Sequence, residues 1–386
     1  MCGHGGSARS DARGQSLRKD IGSLSEPSSF IGPSKKVNTD AAYADLTPDC
    51  LLDAIDSLGM RCDGRLLQLN SFENRVYQIG FEDGSQRIAK FYRPGRWSDA
   101  AILEEHAFTI ELAEREIPAV PPLSCNGQTL HPFECPQGVA IQRPPTEGEL
   151  AARPWSVHEG HRFALFARQG GRSPDIEREE TLEWLGRFLG RIHAVGANRA
   201  YQTRPSLDMR SFGIESRDVL IAGNWLPEDL RLAWISVADQ ALEEVSRAYQ
   251  RAGDVQLLRL HGDCHAGNLL WTEDGPHFVD FDDSRSGPAV QDLWMLLSGD
   301  VGDMRRQLAA LLRGYSMFRE FDRRELHLVE ALRTLRLIHY SAWIARRWHD
   351  PAFPAAFPWF GSVSYWQERI LELREQVALM QEPPLI

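Results

Sequence analysis

The chain reads as an α+β protein of two lobes, a small lobe built on an antiparallel sheet and a larger, mostly helical one. Three observations predict this. Short runs alternating at period two occupy residues 65–92, apolar residues at helical spacing dominate beyond Gly170-Gly171, and one strand-rich island at 257–284 interrupts the helices. A length of 386 residues suits two or three domains, or two lobes sharing a cleft. The expected division is a disordered tail at 1–40, an N-terminal lobe at 45–168 with a loop insertion at about 131–158, and a C-terminal helical lobe at 169–383.

The tail is rich in Gly, Ser, Arg and Lys and has too few large apolar side chains to repay the entropy of ordering. Thr47-Pro48-Asp49 then opens a short helix, with a Thr cap, a Pro at the first helical position and an early acid, and Gly59 ends it. Arg75–Phe81 alternates as a strand, Glu82-Asp83-Gly84-Ser85 supplies a hairpin turn and Arg87–Tyr92 returns. Residues 99–114 offer a helical apolar side through Ile102, Phe108, Ile110 and Leu112. The Pro-Pro pairs and Gly of 118–150 indicate loops with at most one strand, and Phe163–Phe166 is a fourth strand candidate before the Gly-Gly hinge. Leu182, Leu185, Phe188, Leu189 and Ile192 predict a helix behind a Thr181 cap, and further amphipathic helices are expected near 228–251, 302–317 and 323–349.

Composition narrows the function classes. Lys and Arg number 43 against 54 Asp and Glu, a net charge of −11, which argues against a sequence-independent nucleic-acid binder. No run of apolar residues is long enough to span a membrane, and the first residues lack the apolar stretch of a secretory signal, so the cytoplasm is the expected compartment. The six cysteines are scattered without a C-x-x-C pair and read as reduced thiols rather than a disulfide framework.

The unusual polar residues concentrate in two places, Leu260-His261-Gly262-Asp263-Cys264-His265-Ala266-Gly267-Asn268 and Phe278-Val279-Asp280-Phe281-Asp282-Asp283. Each sets carboxylates among side chains that are normally buried, and such acids need a cation or strong donors. Any one of them could be a turn or cap residue; the cluster as a whole points to phosphoryl transfer. That reaction needs a carboxylate at the acceptor hydroxyl, a metal held by an amide oxygen and a further carboxylate, and a lysine on the phosphates. Asp263 and Asn268 are five apart, as in the H-R-D-x-x-x-x-N loop, and Asp280 follows 17 residues after Asp263, with Asp-Phe-Asp in place of D-F-G. His261 and His265 could suggest zinc hydrolysis, but Gly262 and Gly267 work against the helix that such a pair requires. An inactive kinase-like binding module would have lost the lysine, the base or a metal ligand, and all are present.

This motif set resembles the aminoglycoside phosphotransferase and choline kinase superfamily. Asn70–Tyr77, Lys90-Phe91-Tyr92-Arg93-Pro94, Leu260–Asn268, Gly287–Met295 and Arg347–Pro354 are similar to the bacterial stress response kinase A family, the RdoA-type kinases, over about residues 45–383. The resemblance implies a protein-kinase-like two-lobed fold, with ATP and Mg2+ as cofactors. It makes Asp263 the catalytic base and gives Mg2+ to Asn268 and Asp280. Asp282 is either a second carboxylate on the metal or a solvated strand-end residue.

Lys90, between Ala89 and Phe91 on the return strand, is the expected phosphate-binding lysine, with an edge gatekeeper as the alternative. Its helix partner is Glu104 or Glu105, and Glu105 is preferred because it places Phe108 and Leu112 on the packing side. No G-x-G-x-x-G precedes Val76, so Ser71, Glu73, Asn74 and Arg75 are expected to cover the phosphates with side chains and backbone N–H groups, Ser71 matching the family's ATP-contact serine. The adenine is expected against a Phe163–Arg168 hinge. Asp292 is expected to support the His261 loop rather than take part in the chemistry. The resemblance implies transfer to Ser/Thr of proteins, the chain itself included, in a stress response. Asp292 follows only twelve positions after Asp280, too short a span for a long peptide-presenting segment, which leaves a small-molecule alcohol as the other acceptor. A monomer with no nucleic-acid or membrane partner is expected.

Overall fold

A computed structural model of the protein describes residues 42–43, 45–135 and 160–385. The tail expected at 1–40 and the insertion beyond Cys135 lie outside the described residues. Helix α1 (Pro48–Asp56) starts as expected: the Thr47 side chain accepts a hydrogen bond from Cys50 N, and Gly59, at φ 79°, lies just past its end. Strands β1 (Cys62–Gln68), β2 (Arg75–Phe81), β3 (Gln86–Tyr92), β4 (His131–Phe133) and β5 (His161–Ala167) form one antiparallel sheet in the order β1-β2-β3-β5-β4. Helix α2 (Asp99–Glu114), capped by Ser98, follows β3.

Period-two alternation decides what each face of the sheet carries. Ala89, Phe91, Phe163 and Leu165 pack with Leu51, Ala54 and Ile55 of α1. Tyr92 and Ala164 pack on the other face with Ile102 of α2. Lys90, paired in register with Val76 and Ala164, therefore points to the α2 side.

The remainder is mainly helical: α3 (Glu179–Gly196), α4 (Glu215–Ala222), α5 (Glu228–Ala252), α6 (Val290–Trp294), α7 (Val301–Tyr315), α8 (Val329–Arg346), α9 (Ala352–Ala356) and α10 (Val363–Leu379). The island between α5 and α6 contains β6 (Leu258–Arg259), β7 (Leu269–Thr272), β8 (Gly275–Phe278) and β9 (Ser286–Gly287), with β6 paired to β9 and β7 to β8. One core joins α3 and α7 beneath the β6–β8 segment through Leu185, Leu189, Leu308, Leu311 and Leu260. A second, aromatic core joins α5, α8 and α10, where Trp234 meets Trp366 edge to face at 5.9 Å between ring centres. Helices α3 and α7 cross with backbones nearly touching: a Cβ on Gly186 would overlap the Leu311 carbonyl, and one on Gly314 the Glu183 carbonyl.

Three expectations need correction. Thr181 is not a cap; α3 begins two residues earlier, with no side-chain cap bond, and Glu179 and Glu180 face the positive end of the helix dipole instead. The helix expected at 323–349 opens as a tighter 3-10 segment, Arg323–Leu328, before α8. The cysteines are not all free, because Cys50 and Cys135 form a disulfide. Although 85 residues apart, they are brought to a Cα separation of 5.4 Å where α1 lies near the chain leaving β4. Among the described residues no helix is long and apolar enough to cross a membrane.

Candidate active site

The loop between β6 and β7 is shaped from below. Gly262 has φ 87°, and a Cβ there would overlap the Asp283 carbonyl, so this backbone can press against the 281–283 turn only as glycine. Buried Asp292, at the start of α6, accepts hydrogen bonds from His261 N at 2.8 Å, Gly262 N at 2.9 Å and His193 Nε2 at 3.0 Å. This is the supporting contact expected of Asp292. His261 donates from Nε2 to the Val279 carbonyl at 3.0 Å and its ring packs tilted against Phe281 at 4.4 Å between centres, tying the two motif segments together.

Asp263 accepts from Arg336 at 2.7 Å, and His265 Nε2 lies 3.4 Å from its other oxygen. Burial alone would raise its pKa, but Arg336 and His265 hold the carboxyl well below the usual range. Asn268 donates its amide N–H to the Asp263 carbonyl at 3.0 Å, which leaves its amide oxygen for a cation. Asp280 sits in the left-handed region at φ 60°, and its side chain is 50% exposed. One of its oxygens takes Lys90 Nζ at 2.7 Å. Lys90 also lies 3.4 Å from Asp282. Burial works against its charge, yet Asp280, Asp282 and Glu105 together raise its pKa, so it stays an ammonium.

Glu104 and Glu105 diverge by one position on α2. Glu104 faces outward and accepts from the backbones of Gln202, Thr203 and Arg204. Glu105 is buried behind Lys90, with its pKa pushed up to about 7 by burial against the pull of Arg204 and Lys90. The direct ion pairs of Lys90 run to Asp280 and Asp282, while Glu105 acts on it through its field.

Asp282 is a buried hub rather than a solvated strand end: it pairs with Arg96 and accepts from Asn74 Nδ2 at 3.1 Å. Burial is outweighed by Arg96, Lys90 and Arg204, so its carboxyl stays ionised below the usual range. Its buried Oδ1 accepts no hydrogen bond and is the oxygen that faces Lys90 Nζ at 3.4 Å. Arg96 also reaches Asp283 at 2.7 Å, and Arg204 donates to the carbonyls of Asp282 and Ser284 at 2.8 and 2.7 Å.

The loop before β2 departs from expectation. Glu73 accepts from Trp343 Nε1 at 2.6 Å and pairs with Arg347 at 2.7 Å. Asn74 is occupied by Asp282 and by Arg93 N, and Arg75 lies over the Tyr43 ring and beside Asp350. These side chains anchor the loop, because buried charges must be paired. Ser71 differs from these three in that its Oγ only accepts from Asn74 N, at 3.4 Å, within the loop. The hinge shifts as well. Phe163, Ala164 and Leu165 are fully buried strand interior, and the accessible stretch runs from Phe166 to Gly170.

Sequence reasoning missed Arg96, Arg204 and Arg336, and had Arg347 only as part of a motif, without a role. Arg96 carried a faint signal, standing just past Lys90-Phe91-Tyr92-Arg93-Pro94; Arg336 showed only as a charge between two leucines.

Residues 65–329 match the phosphotransferase enzyme family. The chain belongs to this family, and its chemistry is phosphoryl transfer. It is 41% identical over 348 residues to stress response kinase A of Escherichia coli (strain K12), covering 90% of this chain and 98% of that protein. It is also 41% identical over 343 residues to a serine/threonine protein kinase RdoA of Salmonella typhimurium (strain LT2), covering 89% and 96%. Among solved structures, the amicoumacin kinase hAmiN, in complex with AMP-PNP, Ca2+ and Ami, shares the fold with a TM-score of 0.62 at 16% identity, over 87% of this chain and 95% of that one. A microcompartment-associated aminopropanol kinase does so at 0.60 and 18%, over 86% and 96%. The protein-kinase-like two-lobed expectation and the resemblance to stress response kinases both hold.

Proposed function

We propose that the protein transfers the γ-phosphoryl group of ATP to Ser/Thr hydroxyls of proteins, itself included, in a cytoplasmic stress response. The observation that carries the chemistry is the convergence of Lys90, Asp280, Asn268 and Asp263 from β3, the end of β8 and the β6–β7 loop. The amide oxygen of Asn268, the half-exposed Asp280 and the buried Oδ1 of Asp282, which accepts no hydrogen bond and faces Lys90 Nζ at 3.4 Å, form a hard-oxygen donor set that suits Mg2+. Bound there, Mg2+ would neutralise charge on the β- and γ-phosphates. Lys90 holds phosphate oxygens, Ser71 and its backbone cover them, Glu105 sits behind Lys90, and the adenine lies against Phe166–Gly170. Asp263 orients the acceptor hydroxyl and takes its proton as the new P–O bond forms; a low pKa is no handicap, since the loose transition state needs orientation more than strong abstraction.

The face of α8 beside the base supports a protein acceptor over a cationic amine. Arg336 touches Asp263, and Arg346 is exposed without a carboxylate within ion-pair distance among the described residues, whereas Arg347, just past the helix end, is paired with Glu73. Such a face repels a choline-like or aminoglycoside-like cation and suits a hydroxyl flanked by acids. The solved neighbours, an amicoumacin kinase and an aminopropanol kinase, by contrast favour a small-molecule alcohol, as does the short Asp280–Asp292 segment. Incubation with γ-labelled ATP and Mg2+, once with a generic protein substrate and once with a metabolite pool, separates the two. Label is expected on protein Ser/Thr; label confined to metabolites overturns the acceptor reading. Asp263→Asn should abolish transfer while nucleotide binding, followed calorimetrically, persists, and full residual turnover would refute the base assignment.

A further inference from the structure

On the sheet face opposite Lys90, α1, β4 and β5 bring four metal-binding side chains together. Cys50 lies in the first turn of α1, Cys135 just beyond β4, His161 at the start of β5, and Asp45 before the Thr47 cap. Donor atoms of Asp45, Cys135 and His161 all lie within 4.8 Å of one another, and Cys50 is bonded to Cys135. The His161 ring is 1% exposed and stacks parallel to Tyr43. Its Nε2 lies 2.9 Å from Asp45, while its Nδ1 is buried without a hydrogen-bond partner. A buried imidazole nitrogen with no partner is costly unless something occupies it.

We infer that Cys50, Cys135, His161 and Asp45 form a zinc site in the dithiol state of the protein, and that the disulfide is the metal-free oxidised form of that site. The reasoning rests on donor chemistry. Two thiolates, an imidazole and a carboxylate are a four-ligand set for tetrahedral Zn2+, and thiolate donors select zinc over the hard Mg2+ suited to the catalytic cleft. Tetrahedral ligands on zinc stand roughly 3.5 Å apart, so donors already within 4.8 Å need only small side-chain adjustments. In a reducing compartment a disulfide does not persist. A dithiol reductant supplies two electrons and two protons, splits the S–S bond and leaves itself oxidised to a disulfide. Zn2+ then displaces the two thiol protons. In reverse, hydrogen peroxide takes two electrons from the thiolates and two protons from solvent, is reduced to two molecules of water, and the S–S bond re-forms with release of Zn2+. Cys135 and His161 flank residues 136–159 in sequence, so one ion would join both ends of that stretch to α1 and the sheet.

The test uses the full chain kept reduced with a phosphine, equilibrated with zinc chloride, desalted and assayed for metal by atomic emission. About one zinc per chain is expected, falling to background in Cys50→Ser, in Cys135→Ser and in wild type oxidised to the disulfide, and reduced in Asp45→Asn. Cobalt in place of zinc should give a thiolate charge-transfer band that both cysteine variants lose, which separates this site from binding at Cys2, Cys62, Cys125 or Cys264. Reduced wild type without stoichiometric zinc, or zinc fully retained by both cysteine variants, overturns the inference. Should the cysteine variants fail to fold by circular dichroism, the reduced and oxidised forms of the wild type decide the matter: equal zinc in both refutes it.

Discussion

Glu105 and Asp263 are carboxylates of one cleft with opposite titration. Asp263 is held ionised chiefly by Arg336, whereas Glu105, 3% exposed, is pushed up to about 7 because burial outweighs Arg204 and Lys90. An unfolded glutamate titrates near 4.5. Between that value and about 7 the folded chain carries more protons on Glu105 than the unfolded chain does. Its contribution to stability is therefore fully present below the lower value and declines as pH rises through the upper one. Glu105→Gln removes this dependence. In denaturant titrations at pH 5 and pH 8, wild type should lose about 1–3 kcal/mol more than the variant on going to the higher pH. Parallel behaviour of the two proteins would show that Glu105 is not buried as described.

The crossing of α3 and α7 is the tightest element contact, since carbonyls stand where side chains would be. Gly186→Ala should lower stability by about 1–3 kcal/mol through overpacking, read as a drop in the urea midpoint with little change in slope. An unchanged midpoint would mean that the helices can separate at no cost. Elements with strong local signals were legible: the β2–β3 hairpin, α2 between Ser98 and Glu114, and the β6–β8 island with its Asp263–Asn268 spacing. Their determinants lie within a few residues of one another. The entry to α3 was misread because acids at a dipole, rather than a capping side chain, begin it. In the site, sequence supplied positions but not partners. Lys90, Asp280 and Asn268 stand in short motifs, while the contacts of Arg336 with Asp263 and of Glu73 with Arg347 join residues 73 and 274 apart, and no spacing rule reaches that far. The pairing of Cys50 with Cys135 was hidden for the same reason.

Across the whole molecule, the loop before β2 belongs to the small lobe yet is held by the large one. Glu73 binds Trp343 and Arg347, Arg93 pairs with Asp350, and Phe72 packs against Phe353 and Phe357. Arg347→Ala removes one of the two bonds that hold the Glu73 carboxylate to the large lobe and leaves the one from Trp343. It should raise the KM for ATP about tenfold, equivalent to one charge-assisted hydrogen bond, with the circular dichroism spectrum unchanged. An unaltered KM would show that this anchorage does not shape the nucleotide pocket. The same anchorage bears on the end of each cycle. On the proposed reading, release of ADP would require the tip of that loop to let go of α8, and opening of this kind is often slower than bond-making itself. A kinase latched in this way would keep time by its unlatching, so weakening the latch should quicken turnover at saturating ATP even as it loosens the grip on scarce nucleotide.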